Sequence, residues 1–438
     1  MEATRGRVRR TAIGAVAVAL VAAACSPSVS VRDPGTPSAA SVTASMAASP
    51  PDPGAPSAVP TIAIDPVDSE WTRTIEAAIG GRDVSVTVGS GDRIGFVHAG
   101  AVRRIPASNQ KLLTSMAALD TFGPDHHFAT IAAVRQPPKG GTVRGDLWVV
   151  GTGDPEVDAG SMARLAAAVR AAGISRITGS VVGDTSAFTR EWWAAGWVPG
   201  LSRSYVTRTT ALAFDGNAGG GLPEEAAAAS LTTALGAEGV EVIGSASAGT
   251  APAGLEPVAR IASRPLRDLI TVQNHGSVNF YAETLLKALG ARDAVGAGST
   301  AAGAEDVEAW AARHGVTAQV RDGSGLSHQD LVSTQGLVTL LLLAQDEPWG
   351  RALDASLAPP GDGTLEGRLL GIPVRAKTGT LFETPVSSLS GYVTDAGGVR
   401  IAFSVISRGL DKSTAIAIED TIVRALAGSR VGSRGVDE

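Results

Sequence analysis

Pro106-Ala107-Ser108-Asn109-Gln110-Lys111 is the stretch on which the reading of this chain turns. Leu112, Met116 and Leu119 follow at spacings of four and three, so residues 107–119 read as a helix. A serine and a lysine three residues apart share one face of it. The serine falls at the helix N-terminus, where unpaired backbone N–H groups and the dipole favour developing negative charge. A lysine stripped of water gives up its own proton and can then take one from the serine. Alone the pattern is weak, because Ser-x-x-Lys arises about once by chance in a chain of this length. On that motif alone, a surface turn with a solvated lysine is the better reading.

Two further motifs lie downstream. Ser277-Val278-Asn279 sits between helices read over residues 265–273 and 279–289, where a hydroxyl and an amide can point into one cleft. Taken singly it is a common turn or cap. Lys377-Thr378-Gly379-Thr380 is flanked by Val374 and Leu381 and reads as a strand. Period two puts Thr378 and Thr380 on one face, where both hydroxyls could bind a carboxylate. Gly379 leaves the strand edge open to a ligand backbone, and Lys377 adds positive potential. The three motifs occur in the order helix, loop, strand, a combination found in serine acyl-transferases of the β-lactamase and penicillin-binding group. The chain has only five lysines, and two of them, Lys111 and Lys377, occupy the lysine positions of these motifs.

From residue 69 the rest of the chain is mixed α and β. Glu70–Ile79 reads as a helix ended by Gly80, and residues 84–88 and 94–97 as a hairpin. Residues 147–150 and 177–182 read as strands, and residues 161–172 and 224–235 as helices. Strands near 374–380, 389–393 and 399–406 precede an amphipathic helix at 413–426. The N-terminus differs in kind. Four arginines and a 13-residue apolar run, Ala12 to Ala24, form a secretory signal over residues 1–24. The run ends at Cys25, the only cysteine, in a context that resembles a bacterial lipoprotein cleavage site; ordinary cleavage after Ala22-x-Ala24 is the alternative. Either way the mature protein is expected outside the cytoplasm, with a lipid at Cys25 as its sole route to a membrane. Residues 25–66 read as a disordered tether, since positions 26–60 hold eight of the 24 prolines and no apolar period. Residues 428–438 read as a disordered tail. A net charge of -6 speaks against nucleic-acid binding, and one cysteine excludes an internal disulfide framework or a cysteine-based metal site. No metal or cofactor is expected; His126 and His127 read as loop or packing residues.

Further strings narrow the reading. These are Gly151-Thr152-Gly153-Asp154-Pro155, Asp322-Gly323-Ser324-Gly325-Leu326-Ser327 and Gly361-Asp362-Gly363-Thr364-Leu365. With Ser277–Glu283 they resemble the D-alanyl-D-alanine carboxypeptidase/endopeptidase family of low-molecular-mass class C penicillin-binding proteins, over about residues 69–427. The resemblance implies an α+β transpeptidase fold, a five-stranded antiparallel sheet with helices beside an all-helical lobe. Residues 67–125 and 265–427 would form this catalytic domain. The 169 residues separating Ser108 from Ser277 leave residues 126–264 for an inserted α/β domain. Longer members carry an additional stretch, whereas here Asn217 runs through a glycine cluster into Leu222, so one subdomain is expected to be missing or reduced.

The resemblance also implies roles. Ser108 would attack the penultimate carbonyl of a D-Ala-D-Ala peptidoglycan stem, with Lys111 as base. Ser277, helped by Lys377, would pass the proton to the leaving amine, and Asn279 would bind the substrate backbone. The N–H groups of Ser108 and Thr380 would form the oxyanion hole; Thr378, Gly379 and Thr380 would receive the terminal carboxylate. β-Lactams, as mimics of the dipeptide, would acylate Ser108. In the family an arginine after the Asp-Gly-Ser-Gly-Leu-Ser string helps recognise the free end of the diaminopimelate side chain. Here that position is His328, while Asp184 resembles an acidic partner from the inserted domain, so amidated stems are an expected substrate. A β-lactamase and a catalytically silent wall-binding homologue are the alternative readings.

Overall fold

Five strands pair antiparallel in the order Val374–Leu381, Val386–Thr394, Arg400–Arg408, Val84–Ser90, Arg93–His98. This computed structural model describes residues 69–200, 202–292 and 297–430. The expected leader, Cys25, the tether and the tail from residue 431 lie outside the described residues. Both ends of the described chain meet in the sheet, where Val84 pairs with Ser407 and Gly89 with Ala402. Its central strands are buried along nearly their whole length, so both faces need a cover.

One cover is a pair of helices, Glu70–Ile79 and Lys412–Gly428. Ile75, Ile79, Ile418 and Ile422 pack with Val86, Leu389 and Phe403. Gly80, at φ +53°, ends the first of these helices as the sequence pattern predicts, and Ser69 caps its start. The other cover is the helical lobe. The helix Thr334–Asp346 lies against the sheet, and Leu112, Met116, Leu285, Trp310 and Leu341 belong to one core. Two lobe helices, Asn279–Ala291 and Thr300–Arg313, cross at closest approach: a Cβ on Gly303 would stand 1.9 Å from the Leu286 carbonyl oxygen.

Between residues 128 and 263 the chain builds a second five-stranded sheet. Its order is Ser247–Gly249, Val181–Asp184, Leu147–Gly151, Ala129–Val134, Glu256–Ala262. The first three run parallel and the last two antiparallel, and the helices Ala159–Ala171 and Pro223–Ala237 pack on them. This part has its own core, including Val149, Leu165, Val181 and Leu231. The chain enters and leaves side by side. Phe128 and Ser263 exchange hydrogen bonds of 3.0 and 2.9 Å, and the His127 ring lies 2.7 Å from the Ser263 carbonyl. His126 stacks on Phe122, so both histidines are packing residues. Lys287 ties the segment to the lobe by donating to the carbonyls of Thr189 and Glu191 at 3.0 and 2.7 Å.

One expected strand is broken. Residues 177–182 divide into Arg176–Ile177 and Val181–Asp184, which belong to different sheets. The cause is a close crossing at Gly179, where a Cβ would lie 2.3 Å from the Asp146 carboxylate. Thr178 and Ser180 bond across to Gly145 and Asp146 instead of continuing a ladder.

The helix crossing yields a stability test. Gly303→Ala places a methyl group against backbone, and overpacking of this kind costs about 1–3 kcal/mol. The expected outcome is a lower denaturant midpoint for Gly303→Ala, measured by tryptophan fluorescence, than for a control alanine at exposed Gly236.

Candidate active site

Ser108 stands in a 3-10 turn, Ala107–Asn109, that runs on as the helix Gln110–Phe122. Ala107 has φ +50°, a left-handed conformation that costs a non-glycine residue about 1–3 kcal/mol. Packing from the sheet holds it there. The Ser388 hydroxyl donates to the Pro106 carbonyl at 2.7 Å, and the Asn109 amide donates to the Ser390 hydroxyl at 2.7 Å. A Cβ on Gly379 would lie 2.2 Å from the Ser388 Oγ and 2.9 Å from the Ser108 nitrogen. Glycine is therefore needed there so that the strand can approach the serine turn, a cause additional to ligand access.

Lys111 is fully buried. Its Nζ lies 2.7 Å from the Asn279 Oδ1, 2.7 Å from the Ser324 carbonyl oxygen and 3.1 Å from the Ser108 Oγ. The Asn279 amide nitrogen donates to the Tyr205 carbonyl at 3.0 Å, which fixes its oxygen toward the lysine. Burial pushes the Lys111 pKa down to about 8, against the opposing pull of Asp322, Glu283 and Asp330. As a neutral amine the nitrogen has two N–H bonds and one lone pair. The two short contacts go to groups that only accept, so the lone pair is left facing the one neighbour that can donate, the Ser108 hydroxyl. That arrangement is ready to remove the serine proton.

Lys377 is also fully buried and donates to the Thr378 carbonyl at 2.8 Å. Burial, and then the nearby Lys111, hold its pKa well below the usual lysine range. Ser277, at φ +54°, follows the helix Leu266–His275, and Asn279 opens the next. Ser108, Ser277, Asn279, Thr380 and His328 line one cleft of about 160 Å³. Thr378 is half-buried and is not among the lining residues. Asp184 lies elsewhere. It is buried in the inserted segment, where it accepts from the Ser186 N–H and hydroxyl at 3.0 Å each and from the Ala251 N–H at 2.9 Å. It braces a turn and does not meet His328 at the cleft.

Tyr205, which also lines the cleft, escaped the sequence reading, and no spacing signal marks it. Glu283, Asp322 and Asp330, buried behind Lys111, were equally unassigned. Glu283 follows Asn279 by four residues on one helix, and Asp322 opens the Asp-Gly-Ser-Gly-Leu-Ser string, so both carried a readable signal.

The chain matches the D-Ala-D-Ala carboxypeptidase 3 (S13) family over residues 75–219 and 221–429. It belongs to that family. It is 30% identical to the D-alanyl-D-alanine carboxypeptidase of Actinomadura sp. (strain R39), over 81% of this chain and 82% of the relative. It is 24% identical to the D-alanyl-D-alanine carboxypeptidase DacB of Haemophilus influenzae, over 73% and 86% respectively. The fold is similar to that of penicillin-binding protein 4 from Haemophilus influenzae, with a TM-score of 0.71 and 22% identity, covering 82% of this chain and all of that one. A second structure of that protein, in complex with a β-lactam, matches with a TM-score of 0.68, 22% identity and the same coverage. The chain is thus a serine-type D-Ala-D-Ala carboxypeptidase with the penicillin-binding fold. The family match breaks at Gly220, inside the glycine cluster where a subdomain is expected to be missing or reduced.

For this carboxypeptidase the pKa of Lys111 sets a pH profile. Only the neutral amine can accept a proton, and it prevails above about pH 8. Acylation should therefore rise with pH through an inflection near 8 and fall about tenfold per unit below it. Stopped-flow acylation by a chromogenic β-lactam between pH 5 and 10 checks this; a rate that falls on going from pH 6 to 8 contradicts it.

Proposed function

We propose that the protein is an exported peptidase that removes the terminal D-alanine from peptidoglycan stem peptides through an acyl-enzyme on Ser108. The observation that carries this reading is the Lys111 nitrogen, with its two N–H bonds directed at carbonyl oxygens and its lone pair at the Ser108 hydroxyl. As the Ser108 oxygen bonds to the penultimate carbonyl carbon, its proton passes to Lys111. The N–H groups of Ser108 and Thr380 receive the oxyanion, a donor pair of the kind that contributes about 3–4 kcal/mol per donor to the barrier. Collapse breaks the peptide bond; Ser277, assisted by Lys377, takes the proton from Lys111 as it gives its own to the departing D-alanine nitrogen, so Lys111 is neutral again. Thr380, which lines the cleft, holds the terminal carboxylate and Asn279 the peptide backbone. Water then attacks the ester, freeing the stem and restoring the Ser108 hydroxyl.

A β-lactam presents the same carbonyl and would acylate Ser108 with slow release. Attack on a D-Ala-diaminopimelate cross-link uses identical steps, so endopeptidase action belongs to the same reading. The basic and apolar leader before Cys25 supports export, with a lipid at that cysteine as the anchor, and residues 126–264 act as an inserted domain beside the catalytic one.

Ser108→Ala and Lys111→Ala decide the chemistry. Both should lose fluorescent penicillin labelling and D-alanine release by at least about 1,000-fold, within the range seen for lost nucleophiles and bases. An unlabelled wild type would defeat the acyl-serine reading, and rapid turnover of the label would mark a β-lactamase instead.

The cleft also suggests a preference. Among the described residues, Glu383 is the one acidic residue that lines the cleft, and no lysine or arginine does. His328, held by its N–H on the Gly196 carbonyl at 3.1 Å and facing the Thr384 hydroxyl at 3.3 Å, takes the position of the family's arginine. A free carboxylate on the diaminopimelate end would meet a histidine where the family has an arginine, so amidated stems should be hydrolysed with the higher kcat/KM. Side-by-side hydrolysis of amidated and free stem peptides tests this; faster cleavage of the free form would refute it.

A further inference from the structure

Three carboxyl groups lie buried behind Lys111, and the acyl-transfer steps use none of them. Glu283 accepts, on its Oε1, the N–H groups of Gly323 and Ser324 at 3.1 and 2.8 Å. Asp322 accepts from four donors: the N–H of Gly325 at 2.6 Å, the N–H of Ser327 at 2.8 Å, the Trp197 indole at 2.6 Å and the Ser324 hydroxyl at 3.4 Å. Asp330 takes the Arg321 N–H on Oδ1 at 2.7 Å, while its buried Oδ2 has no donor and its carboxyl faces Asp322.

Three anions cannot share one water-free pocket, and charge settles where donors are most numerous. Burial, then Asp322, raises the Asp330 pKa well above the carboxylate range; burial likewise raises that of Glu283 to about 8. Burial thus disfavours the charged form of both. A proton on the Asp330 Oδ2 would give that orphaned oxygen a hydrogen to offer the facing Asp322.

We propose that Asp322 carries the single negative charge of this cluster and is a positioning residue for Lys111, folding the 322–327 turn so that the Ser324 carbonyl meets the lysine nitrogen. The inference rests on Lys111 being the base. The geometry supports it closely. Asp322 ties together the N–H groups on both sides of the turn, and Thr114, one helical turn beyond Lys111, donates its hydroxyl to the Gly323 carbonyl at 2.9 Å. The turn has no slack: a Cβ on Gly325 would stand 1.8 Å from the Ala107 carbonyl oxygen, and one on Gly323 would stand 2.4 Å from that of Ala282. Through Trp197 the same carboxylate also binds the inserted segment. The titratable groups around Lys111 are Asp322 from the turn, Asp330 just beyond it, Glu283 from the helix Asn279–Ala291 and Lys377 from the edge strand. Of the three carboxyls, Asp322 raises the lysine most.

Neutral isosteres separate the three carboxyls. Glu283→Gln and Asp330→Asn replace groups whose charged form burial disfavours, and each amide keeps both an acceptor and a donor. Asp322→Asn removes the charge. The test is the acylation rate by a chromogenic β-lactam against pH, in the full chain. Glu283→Gln and Asp330→Asn should keep the wild-type inflection and stay within about threefold in rate. Asp322→Asn should move the inflection down by about one pH unit and lower the plateau about tenfold, as loss of a facing opposite charge requires. An unmoved inflection in Asp322→Asn overturns the proposal. If Asp322→Asn does not fold, a full-unit shift in Glu283→Gln or Asp330→Asn overturns it, and unmoved inflections in both support it. Lys111→Ala separates the two levels: residual acylation there defeats the base assignment itself, whereas an inert Lys111→Ala beside an unmoved Asp322→Asn defeats only the role of Asp322.

Discussion

A lysine nitrogen with no exposure to water must have its hydrogen-bonding capacity met entirely by the protein, and that requirement at Lys111 organises the catalytic half of the molecule. Its partners come from residues 108, 279 and 324, on a helix turn, a second helix and a glycine-rich loop. Bringing them within 3.1 Å forces backbone against backbone on several sides. Gly325 lies against Ala107, Gly323 against Ala282 and Gly379 against Ser108, and a side chain at any of these positions would collide with main chain. The glycines of the motifs are in this sense packing residues first. They let three elements reach one nitrogen.

The sheet supplies the stiffness. The strand Val386–Thr394 is buried on both faces, with Leu389 and Val393 in the core beneath the terminal helices and Ser388 and Ser390 turned toward the serine turn. Its alternation thus serves two purposes: apolar side chains anchor it, and hydroxyls hold Pro106 and Asn109 in place. The left-handed Ala107 is kept by this grip. A strained residue beside a nucleophile persists only when its surroundings over-determine it, and here they do. The inserted segment is fastened to the same lobe through Lys287 and through the Tyr281 hydroxyl, which donates to Glu156 at 2.8 Å. The Tyr205 carbonyl from that segment accepts the Asn279 amide, so the cleft is built from both parts of the chain.

Much of this was legible beforehand. Glu70–Ile79 was readable to the residue because a serine cap, an apolar stripe and a terminal glycine are local signals. The pairing of Ser108 with Lys111 was equally legible, since three residues on a helix fix which side chains share a face. The reading failed where long-range contact decides. The strand at 177–182 breaks because Gly145 and Asp146, more than thirty residues earlier, cross it at Gly179. Asp184 had the residue type of a ligand-binding acid, yet the turn at Ser186 and the neighbouring Ala251 consume its oxygens.

By itself the sequence determined the family, the antiparallel sheet with its helices and the identity of the serine and two lysines, because these follow from short spacings and from periods of two and 3.6 residues. Only the tertiary structure decided the protonation chemistry. Whether a lysine is a base or a solvated cation depends on the water around it and on the charges opposite it. At Lys111 both are set by residues that lie as much as 219 positions away along the chain but against the same nitrogen or just behind it.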